Sequence, residues 1–562
     1  EAPVAHNKGV AALRCGLLSQ GGAEGILALL GILQAGRCLV PLDERFPDSR
    51  LSHIINDSQL TVAIVGALSR GREHAQQIGI GITIMVADLA SSQWRPKSSH
   101  TSPTTKSPRL CGESYMNYTS GTTGKPKALV SMHRGLLSHA LAAGKILRPR
   151  AQDVSLLHTP PLYGFHMCQM YPYLIVGAKI VLPLPAFLET PSRIWEGPAS
   201  NAGVSFTAFV PSILDPQLGG AGLGIPKSLR LIKCSGEAFG GVTALRTLAI
   251  KPDLELVNWW GNTECLGCTA VRMEPSSARW ISEGGKGLPD ATGLCAPLSQ
   301  ALPVGLSVNW RTLHLLPAST SNTVQSQGIG EACVTGPAVC PPYLGRPKEA
   351  AKAFWDSRFG PGNLLRTGDI LLNSNVSEAL RPYSLRYVGR KDFQIKVNGV
   401  RMELGEIEEV VMQIEGVDRC VVKLHATHLG DQLVKQLVAF YVGRKVPAAE
   451  VQAYVGKQLP KAMIPHQVVH LTVFPRNDAD KIDRNALIPP KLEEGVAMMD
   501  SLGFQRVIAS KDDMWAHHGT QAMYSLVPFC LLYAHWCPFN LQDVTSETDA
   551  NILDFLQFIH HI

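Results

Sequence analysis

The fold is decided by residues 23–65, which read AEGILALLGILQAGRCLVPLDERFPDSRLSHIINDSQLTVAIV. Apolar residues at helical spacing fill the first part of this stretch and stop before Gly36, a residue type that commonly ends a helix. The apolar run Cys38–Leu42 predicts a strand, Pro47 opens a second helix, and residues 61–65 form another apolar run. This alternation of helices and strands with short links predicts a parallel sheet covered by helices.

The composition excludes several classes of protein. The 562-residue chain has 17% charged and 45% apolar residues with a net charge of +6, and its basic residues form no cluster. These values exclude a disordered chain and argue against a nucleic-acid partner. The 13 cysteines lie mostly alone, which is typical of buried thiols in a reducing compartment, so we expect a cytoplasmic protein.

Neither a signal peptide nor a membrane anchor is predicted. The apolar segment at residues 165–187 contains His166, Gln169, Lys179 and three prolines, so we expect buried strands there rather than a spanning helix. The sequence begins Glu1-Ala-Pro-Val4 without an initiator methionine. We therefore expect a piece of a longer protein, with an incomplete N-terminus.

The pattern of the sequence changes near residue 387. Residues 1–387 read as one large α/β domain of helix-covered, mainly parallel sheets. Residues 388–490 read as a small, separate and mobile α+β domain, with a helix expected at about residues 403–415. Residues 491–562 match neither part and stay unassigned.

The strongest local signal is the segment Tyr118-Thr-Ser-Gly-Thr-Thr-Gly-Lys-Pro-Lys127, which follows a strand-like run. Its two glycines let the backbone turn tightly and approach a ligand. Hydroxyl groups, backbone amides and lysine ammonium groups together form a suitable cradle for a polyphosphate. The spacing of a Walker loop is absent, so a different phosphate-binding loop is indicated.

Six further motifs occur in the order found in adenylate-forming (AMP-binding) enzymes, and the chain resembles the adenylation domains of nonribosomal peptide synthetases most. The resemblance covers about residues 23–490. The motifs are Ala35-Gly-Arg-Cys-Leu-Val-Pro-Leu-Asp43, Ser235-Gly-Glu237, Asn258-Trp-Trp-Gly-Asn-Thr-Glu264, Arg366-Thr-Gly-Asp369, Tyr387-Val-Gly-Arg-Lys-Asp-Phe-Gln-Ile-Lys396 with its continuation to Glu408, and Lys481-Ile-Asp-Arg484.

The resemblance implies an activity in which a carboxylate attacks the α-phosphate of ATP, which gives an acyl-adenylate and pyrophosphate, and a thiol then displaces AMP. Glu264, with Thr263 beside it, is implied as the Mg²⁺ ligand, a role that suits a carboxylate acting with phosphate oxygens. The residues implied in binding the β- and γ-phosphates are Thr119, Ser120, Gly121, Thr122, Thr123, Gly124 and Lys127, of which Thr122 is also implied in catalysis.

The resemblance also implies roles for residues on both domains. Trp260 stands where the family usually has tyrosine and is expected to stack on adenine, Asp369 to bind the ribose hydroxyls, and Arg390 to lie near the same sugar. Asp392 corresponds to the hinge about which the small domain rotates. Lys481 corresponds to the lysine that bridges the carboxylate and the α-phosphate, although the family's Asn-Gly before it is replaced by Ala479-Asp480.

The acid itself is only partly indicated. Adenylation domains for α-amino acids carry an aspartate for the substrate ammonium after the phosphate loop, yet no acidic residue occurs between Asp153 and Glu189. An aryl, keto, hydroxy or fatty acid is therefore expected, with a β- or ω-amino acid as the alternative. His166 and Gly236 are the candidate pocket residues.

Three readings of the function remain open on sequence grounds. The leading one is a peptide-synthetase-like adenylation unit, whose acceptor is a phosphopantetheine thiol on a carrier protein in trans or on a missing part of the chain. A free-standing acid–CoA ligase would use coenzyme A instead. A non-catalytic relative that only binds nucleotide is the third reading, favoured by Ala479-Asp480 and by Cys340-Pro-Pro-Tyr343, where the family often has Ala-Arg-Gly-Tyr.

Overall fold

The structure is a computed structural model. It describes residues 14–19, 22–66, 71–85, 112–119, 126–183, 194–195, 202–218, 225–273, 302–308, 312–316, 328–357, 362–373, 384–391, 394–397, 400–429, 432–476, 482, 484 and 486–489.

A six-stranded sheet includes the two strands of the stretch 23–65. Its strands are β1 (Arg14–Leu18), β2 (Cys38–Leu42), β3 (Val62–Val65), β4 (Ile82–Met85), β5 (Glu113–Thr119) and β6 (Lys127–Met132). They lie in the order β4-β3-β1-β2-β5-β6, and only the β5–β6 pair is antiparallel. The connecting helices are α1 (Ala23–Gln34), α2 (Asp48–Asp57) and α3 (Gly71–Gln77). The parallel, helix-covered sheet predicted from residues 23–65 is confirmed.

A seven-stranded sheet follows. Its strands are β7 (Val154–Leu156), β8 (Lys179–Val181), β9 (Phe206–Phe209), β10 (Leu231–Ser235), β11 (Glu255–Trp260), β12 (Thr269–Met273) and β13 (Leu306–Ser307). The order is β13-β12-β11-β10-β9-β7-β8, parallel from β8 to β11 and antiparallel beyond. The associated helices are α4 (His133–Leu147), α5 (Phe165–Ile175), α6 (Pro211–Leu218) and α7 (Gly241–Ile250).

The expectation of strands at the start of residues 165–187 is wrong, because Phe165–Ile175 forms helix α5. Most of its residues are buried between α4 and the second sheet, so the helix is apolar on nearly every face. Such a helix lacks the one-sided pattern that distinguishes an amphipathic helix from a buried strand. Only Lys179–Val181, at the far end of the segment, is a strand in the described residues.

A third, antiparallel sheet closes the large unit. It consists of β14 (Thr312–Leu316), β15 (Gly328–Thr335), β16 (Phe354–Asp356), β17 (Asn363–Asn373) and β18 (Leu385–Arg390), and helix α8 (Pro347–Ala353) precedes β16. The order is β14-β15-β17-β16, with β18 also paired to β17. This pairing places residues 369 and 390 directly opposite each other.

The remaining elements form a small α+β unit with its own apolar core. They are β19 (Gln394–Val397), β20 (Val400–Glu403), α9 (Leu404–Val411), β21 (Val417–Leu429), β22 (Gln432–Gly443), α10 (Ala448–Gln458) and β23 (Gln467–His470). Helix α9 is shorter than the predicted 403–415, because the chain turns through Gly416, with φ of 90°, into β21. The layout matches the predicted fold class, whereas the exact domain boundaries stay predictions.

None of the helices in the described ranges is long and apolar enough to cross a membrane.

Candidate functional site

The carboxylate of Asp369 is the centre of one group of polar side chains. Asp369 on β17 is only 2% exposed. Its Oδ1 accepts a hydrogen bond of 2.5 Å from Arg390 Nη1 on the neighbouring strand, and its Oδ2 accepts one of 3.0 Å from Trp260 Nε1 at the end of β11. The fold therefore brings together three residues that the sequence assigns to the nucleoside, and it holds the carboxylate in one orientation.

A second group is built around Glu264, which lies in the short 3₁₀ turn Thr263–Cys265 that follows β11. Glu264 is 1% exposed, and its Oε1 accepts a hydrogen bond of 2.7 Å from the Tyr343 hydroxyl. The ammonium of Lys127, the first residue of β6, lies 5.0 Å from the centre of the Tyr343 ring. Tyr343 thus contacts both the predicted Mg²⁺ ligand and the predicted phosphate-binding lysine.

A cavity of about 180 Å³ lies beside these groups. Three predicted site residues line it: Thr119 at the end of β5, Gly236 after β10, and Thr263. The small unit contributes three apolar residues to the same wall. The full lining is Phe46, Arg50, Asn117, Tyr118, Thr119, His139, Leu162, Tyr163, Gly164, Phe165, Cys168, Lys233, Ser235, Gly236, Trp259, Gly261, Asn262, Thr263, Leu266, Gly267, Pro460, Ala462 and Met463.

The two candidate pocket residues occupy different places. Gly236 lines the cavity with φ of 90°, and a Cβ at this position would lie 3.2 Å from the Phe165 ring. His166 is 1% exposed, and its Nδ1 donates to the Thr159 carbonyl at 3.0 Å. Burial lowers the pKa of His166 to about 4, so the ring is neutral at physiological pH. The helix presents Phe165 and Cys168 to the cavity.

The large and small units meet through a buried ion pair near the cavity. Arg50 on α2 donates to Glu406 on α9 at 2.8 Å, and both side chains are at most 9% exposed. A second contact lies beside the predicted hinge, where Lys391 forms an ion pair of 2.8 Å with Glu331. Burial raises the pKa of Glu331, but hydrogen bonds from Arg366 and Lys391 outweigh it and hold this pKa below its usual value.

Several predicted site residues lie outside the described residues, and their roles stay predictions. They are Ser120, Gly121, Thr122, Thr123 and Gly124 of the phosphate loop, the hinge residue Asp392, and Lys481 with the preceding Ala479-Asp480.

The residues present fit the substrate and metal that the motifs imply. A single buried carboxylate suits Mg²⁺, because this ion is usually held by one or two carboxylates together with substrate phosphates and water. Glu264 would hold Mg²⁺, while Asp369 and Arg390 would bind the nucleoside. Cys265 and Cys268 are buried in the apolar cluster around Trp260.

Two residues of the candidate site, Tyr343 and Lys233, were not predicted from the sequence. Tyr343 lies in a motif that departs from the family pattern, yet its hydroxyl reaches Glu264. Lys233 lines the cavity from the middle of strand β10, where its neighbours Leu231, Ile232 and Cys234 are all apolar. A lone lysine within an apolar strand is the signal that would have identified it.

Comparisons with known proteins identify the family. The family profile described as AMP-binding enzyme matches residues 7–344, more than half of the chain. Zwittermicin A synthase ZmaJ from Bacillus cereus is 28% identical over 479 residues, which are 84% of each chain. Malpinin synthetase from Mortierella alpina is 27% identical over 478 residues, which are 84% of this chain. The matched segment is only 6% of the length of malpinin synthetase.

A solved structure of a nonribosomal peptide synthetase protein with adenylation and PCP domains has the same fold. It superposes with a TM-score of 0.65 at 21% identity, over 84% of this chain and 75% of the other. Fold and site define an adenylate-forming ligase. The chain belongs to the AMP-binding enzyme family. Enzymes of this family use ATP and Mg²⁺, with coenzyme A or a carrier protein as the acceptor. The predicted family, enzyme class and fold class are confirmed.

Proposed function

We propose that the chain activates a small carboxylic acid as its acyl-adenylate, with release of pyrophosphate, and passes the acyl group to a phosphopantetheine thiol. One observation carries this proposal. The buried Asp369–Trp260–Arg390 group and the buried Glu264–Tyr343 pair lie at opposite ends of the same short segment, residues 260–264, which also lines the cavity. Nucleoside, metal and acid sites are thus built from one turn.

Each group has a defined task in this proposal. Asp369 accepts hydrogen bonds from the ribose hydroxyls, and Arg390 holds its carboxylate in place. Trp260 offers an indole face to adenine while its N–H stays bonded to Asp369. Lys127, Thr119 and the loop 120–124 bind the phosphates, and Thr122 assists the transfer. When Mg²⁺ is bound at Glu264, it offsets the charge of the phosphate oxygens.

Lys481 completes the reaction in this proposal. A compact cation that bridges the acid's carboxylate and the α-phosphate offsets the repulsion between the two anions as they approach. Rotation about Asp392 then removes Lys481 and admits the thiol. The acceptor is a carrier-bound phosphopantetheine in the leading reading, supported by the likeness to peptide synthetases, and a cytoplasmic setting accords with the many buried thiols.

The test is ATP–pyrophosphate exchange with Mg²⁺, using the full chain and a panel of amino, aryl, hydroxy, keto and fatty acids. Lys481→Ala is the test variant. Lys457→Ala is the matched control, because Lys457 is an exposed lysine on α10 of the same small unit. The thiol step is followed by mass spectrometry, with coenzyme A and a phosphopantetheine-loaded carrier protein offered separately.

We expect exchange with one class of acid, lost in Lys481→Ala and kept in Lys457→Ala. Transfer to the carrier but not to coenzyme A would identify a peptide-synthetase-like unit, and the reverse would identify an acid–CoA ligase. A folded chain that binds ATP but supports no exchange with any acid would refute the proposed activity and leave the nucleotide-binding reading.

A further inference from the structure

Lys233 is a buried cation on the wall of the cavity. It lies in the middle of β10, opposite Ala208 of β9 and Val257 of β11, in a row of otherwise apolar side chains. Only 2% of Lys233 is exposed, yet it lines the cavity. The fold therefore places an ammonium group where a small acid would bind rather than in bulk water.

The partners of Lys233 within the described residues are aromatic. Its Nζ lies 4.3 Å from the centre of the Phe165 ring and 5.4 Å from that of Trp259. No carboxylate in the described part of the chain forms an ion pair with it, and none lines the cavity. The other lining cation, Arg50, is already paired with Glu406. The cavity thus has one positive charge without an acidic counterpart among these residues.

Such a charge needs an anion. Removing an ammonium group from water costs several kcal/mol unless a partner compensates it. The two aromatic faces offset only part of this desolvation cost. An anionic group on a bound ligand would supply the remainder. The same wall repels a substrate that carries an ammonium at this position.

The location of Lys233 indicates which end of the acid it meets. Its partner in the register, Val257, precedes Trp260 by three residues, which is about 10 Å along a strand. Trp260 and Thr263, which lie on the nucleotide side of the cavity, are therefore at the carboxyl end of the sheet. In the proposed activity, the carboxylate that reacts with ATP lies at this carboxyl end. The backbone of Lys233 lies farther from it, towards the middle of the sheet.

We propose that Lys233 selects an acid with a second anionic group, so that the substrate class is a small dicarboxylic acid. This inference rests on the proposed adenylation activity and names the acid for it. Phe165, held over Gly236 and Lys233, separates the second carboxylate from solvent. Ser235, which also lines the cavity, offers a hydroxyl to the same region.

The experiment compares pairs of acids that differ only in charge. The full chain is assayed by ATP–pyrophosphate exchange with dicarboxylic acids of about three to six carbons, including 2-oxo acids, and with their monoamides, which are nearly isosteric but lack the second charge. Lys233→Met keeps the length of the side chain and removes its charge. Lys179→Met is the control, because Lys179 is an exposed lysine on the same sheet.

We expect kcat/KM for the best dicarboxylic acid to exceed that of its monoamide about 30-fold or more, the ratio that corresponds to ~2 kcal/mol. Lys233→Met should reduce the ratio to about 3-fold or less, and Lys179→Met should leave it unchanged. An equal or better rate with the monoamides, or an unchanged ratio in Lys233→Met, would overturn the inference.

Direct binding separates this inference from the proposed activity. Calorimetric titration of the same acid pairs into the full chain with AMP present requires no turnover. If exchange is absent but dicarboxylic acids bind more tightly than their monoamides, and only when Lys233 is present, the inference stands and the proposed activity falls. If binding shows no such preference, the inference is refuted whatever the exchange assay gives.

Discussion

The Tyr343→Phe substitution removes one oxygen atom from the candidate site and leaves the ring contacts in place. The ring stays 5.0 Å from Lys127 Nζ and packs at 5.2 Å between centroids against Phe354. The loss is the 2.7 Å hydrogen bond to the carboxylate of Glu264, which is 1% exposed. A hydrogen bond to a buried charged group contributes about 1.5–3 kcal/mol, since water cannot replace the lost donor.

We therefore expect Tyr343→Phe to lower the free energy of unfolding of the large unit by about 1.5–3 kcal/mol. Urea unfolding followed by tryptophan fluorescence measures this change, because residues 388–490 contain no tryptophan and the signal reports on the rest of the chain. Tyr173→Phe on α5 of the same large unit is the matched control, since the buried Tyr173 hydroxyl forms no hydrogen bond with a described residue. This substitution should not lower the free energy of unfolding by more than about 0.5 kcal/mol.

A Tyr343→Phe variant as stable as the wild type, within about 0.5 kcal/mol, would refute this reasoning. The hydroxyl would then contribute nothing to holding Glu264. Tyr343→Leu extends the test, because it also removes the ring. We expect a further loss, which includes about 0.5–2 kcal/mol from the contact between the ring and Lys127.

Three other substitutions test the site. Gly236→Ala should lower stability by about 1–2 kcal/mol in urea unfolding, because φ is 90° and the new Cβ meets Phe165 at 3.2 Å; unchanged stability would contradict the geometry. Burial lowers the pKa of His166 to about 4, so between pH 6.5 and 4 the unfolded chain binds a proton that the folded chain does not. The free energy of unfolding therefore falls as the pH is lowered through this range, by up to ~3 kcal/mol. His166→Asn should make this pH dependence shallower, and an unaltered slope would contradict the assignment. Asp369→Ala should weaken AMP binding about 10- to 100-fold in calorimetry, through lost charged hydrogen bonds, whereas Asp356→Ala at an exposed position should not; equal affinities would remove Asp369 from the nucleoside site.

Local pattern was sufficient for elements that have a one-sided apolar pattern or are clearly delimited by turn residues. Helix α2 has buried and exposed faces, and strand β2 is a short apolar run between turn residues, so the start of the helix and the bounds of the strand were predictable to about a residue. Helix α5 was not, because it is buried on nearly every side and its sequence resembles that of a strand. The order of the motifs was sufficient for the family, because each motif is a short contiguous segment.

Contacts between distant segments were not predictable from the sequence. Asp369 meets Trp260 across 109 residues, and Tyr343 meets Glu264 across 79 residues. The number of residues between two positions does not predict their distance in space when the two positions lie on strands of different sheets that pack together. In the sequence, the departure from the family pattern at residues 340–343 therefore suggests a loss of catalytic function. In the structure, Tyr343 of this motif donates a hydrogen bond to Glu264, the predicted metal ligand.

The sequence by itself determined the family, the enzyme class and the sites at which nucleotide chemistry is expected, because those properties depend on short segments whose residue order is specific. Only the tertiary structure decided the character of the cavity. The sequence shows Lys233 only as a lone lysine within an apolar strand, and its proposed role comes from burial between Phe165 and Trp259, on a wall without a described carboxylate. The free energy of a charge depends on the polarity around it, and that polarity is set by segments far apart in the chain.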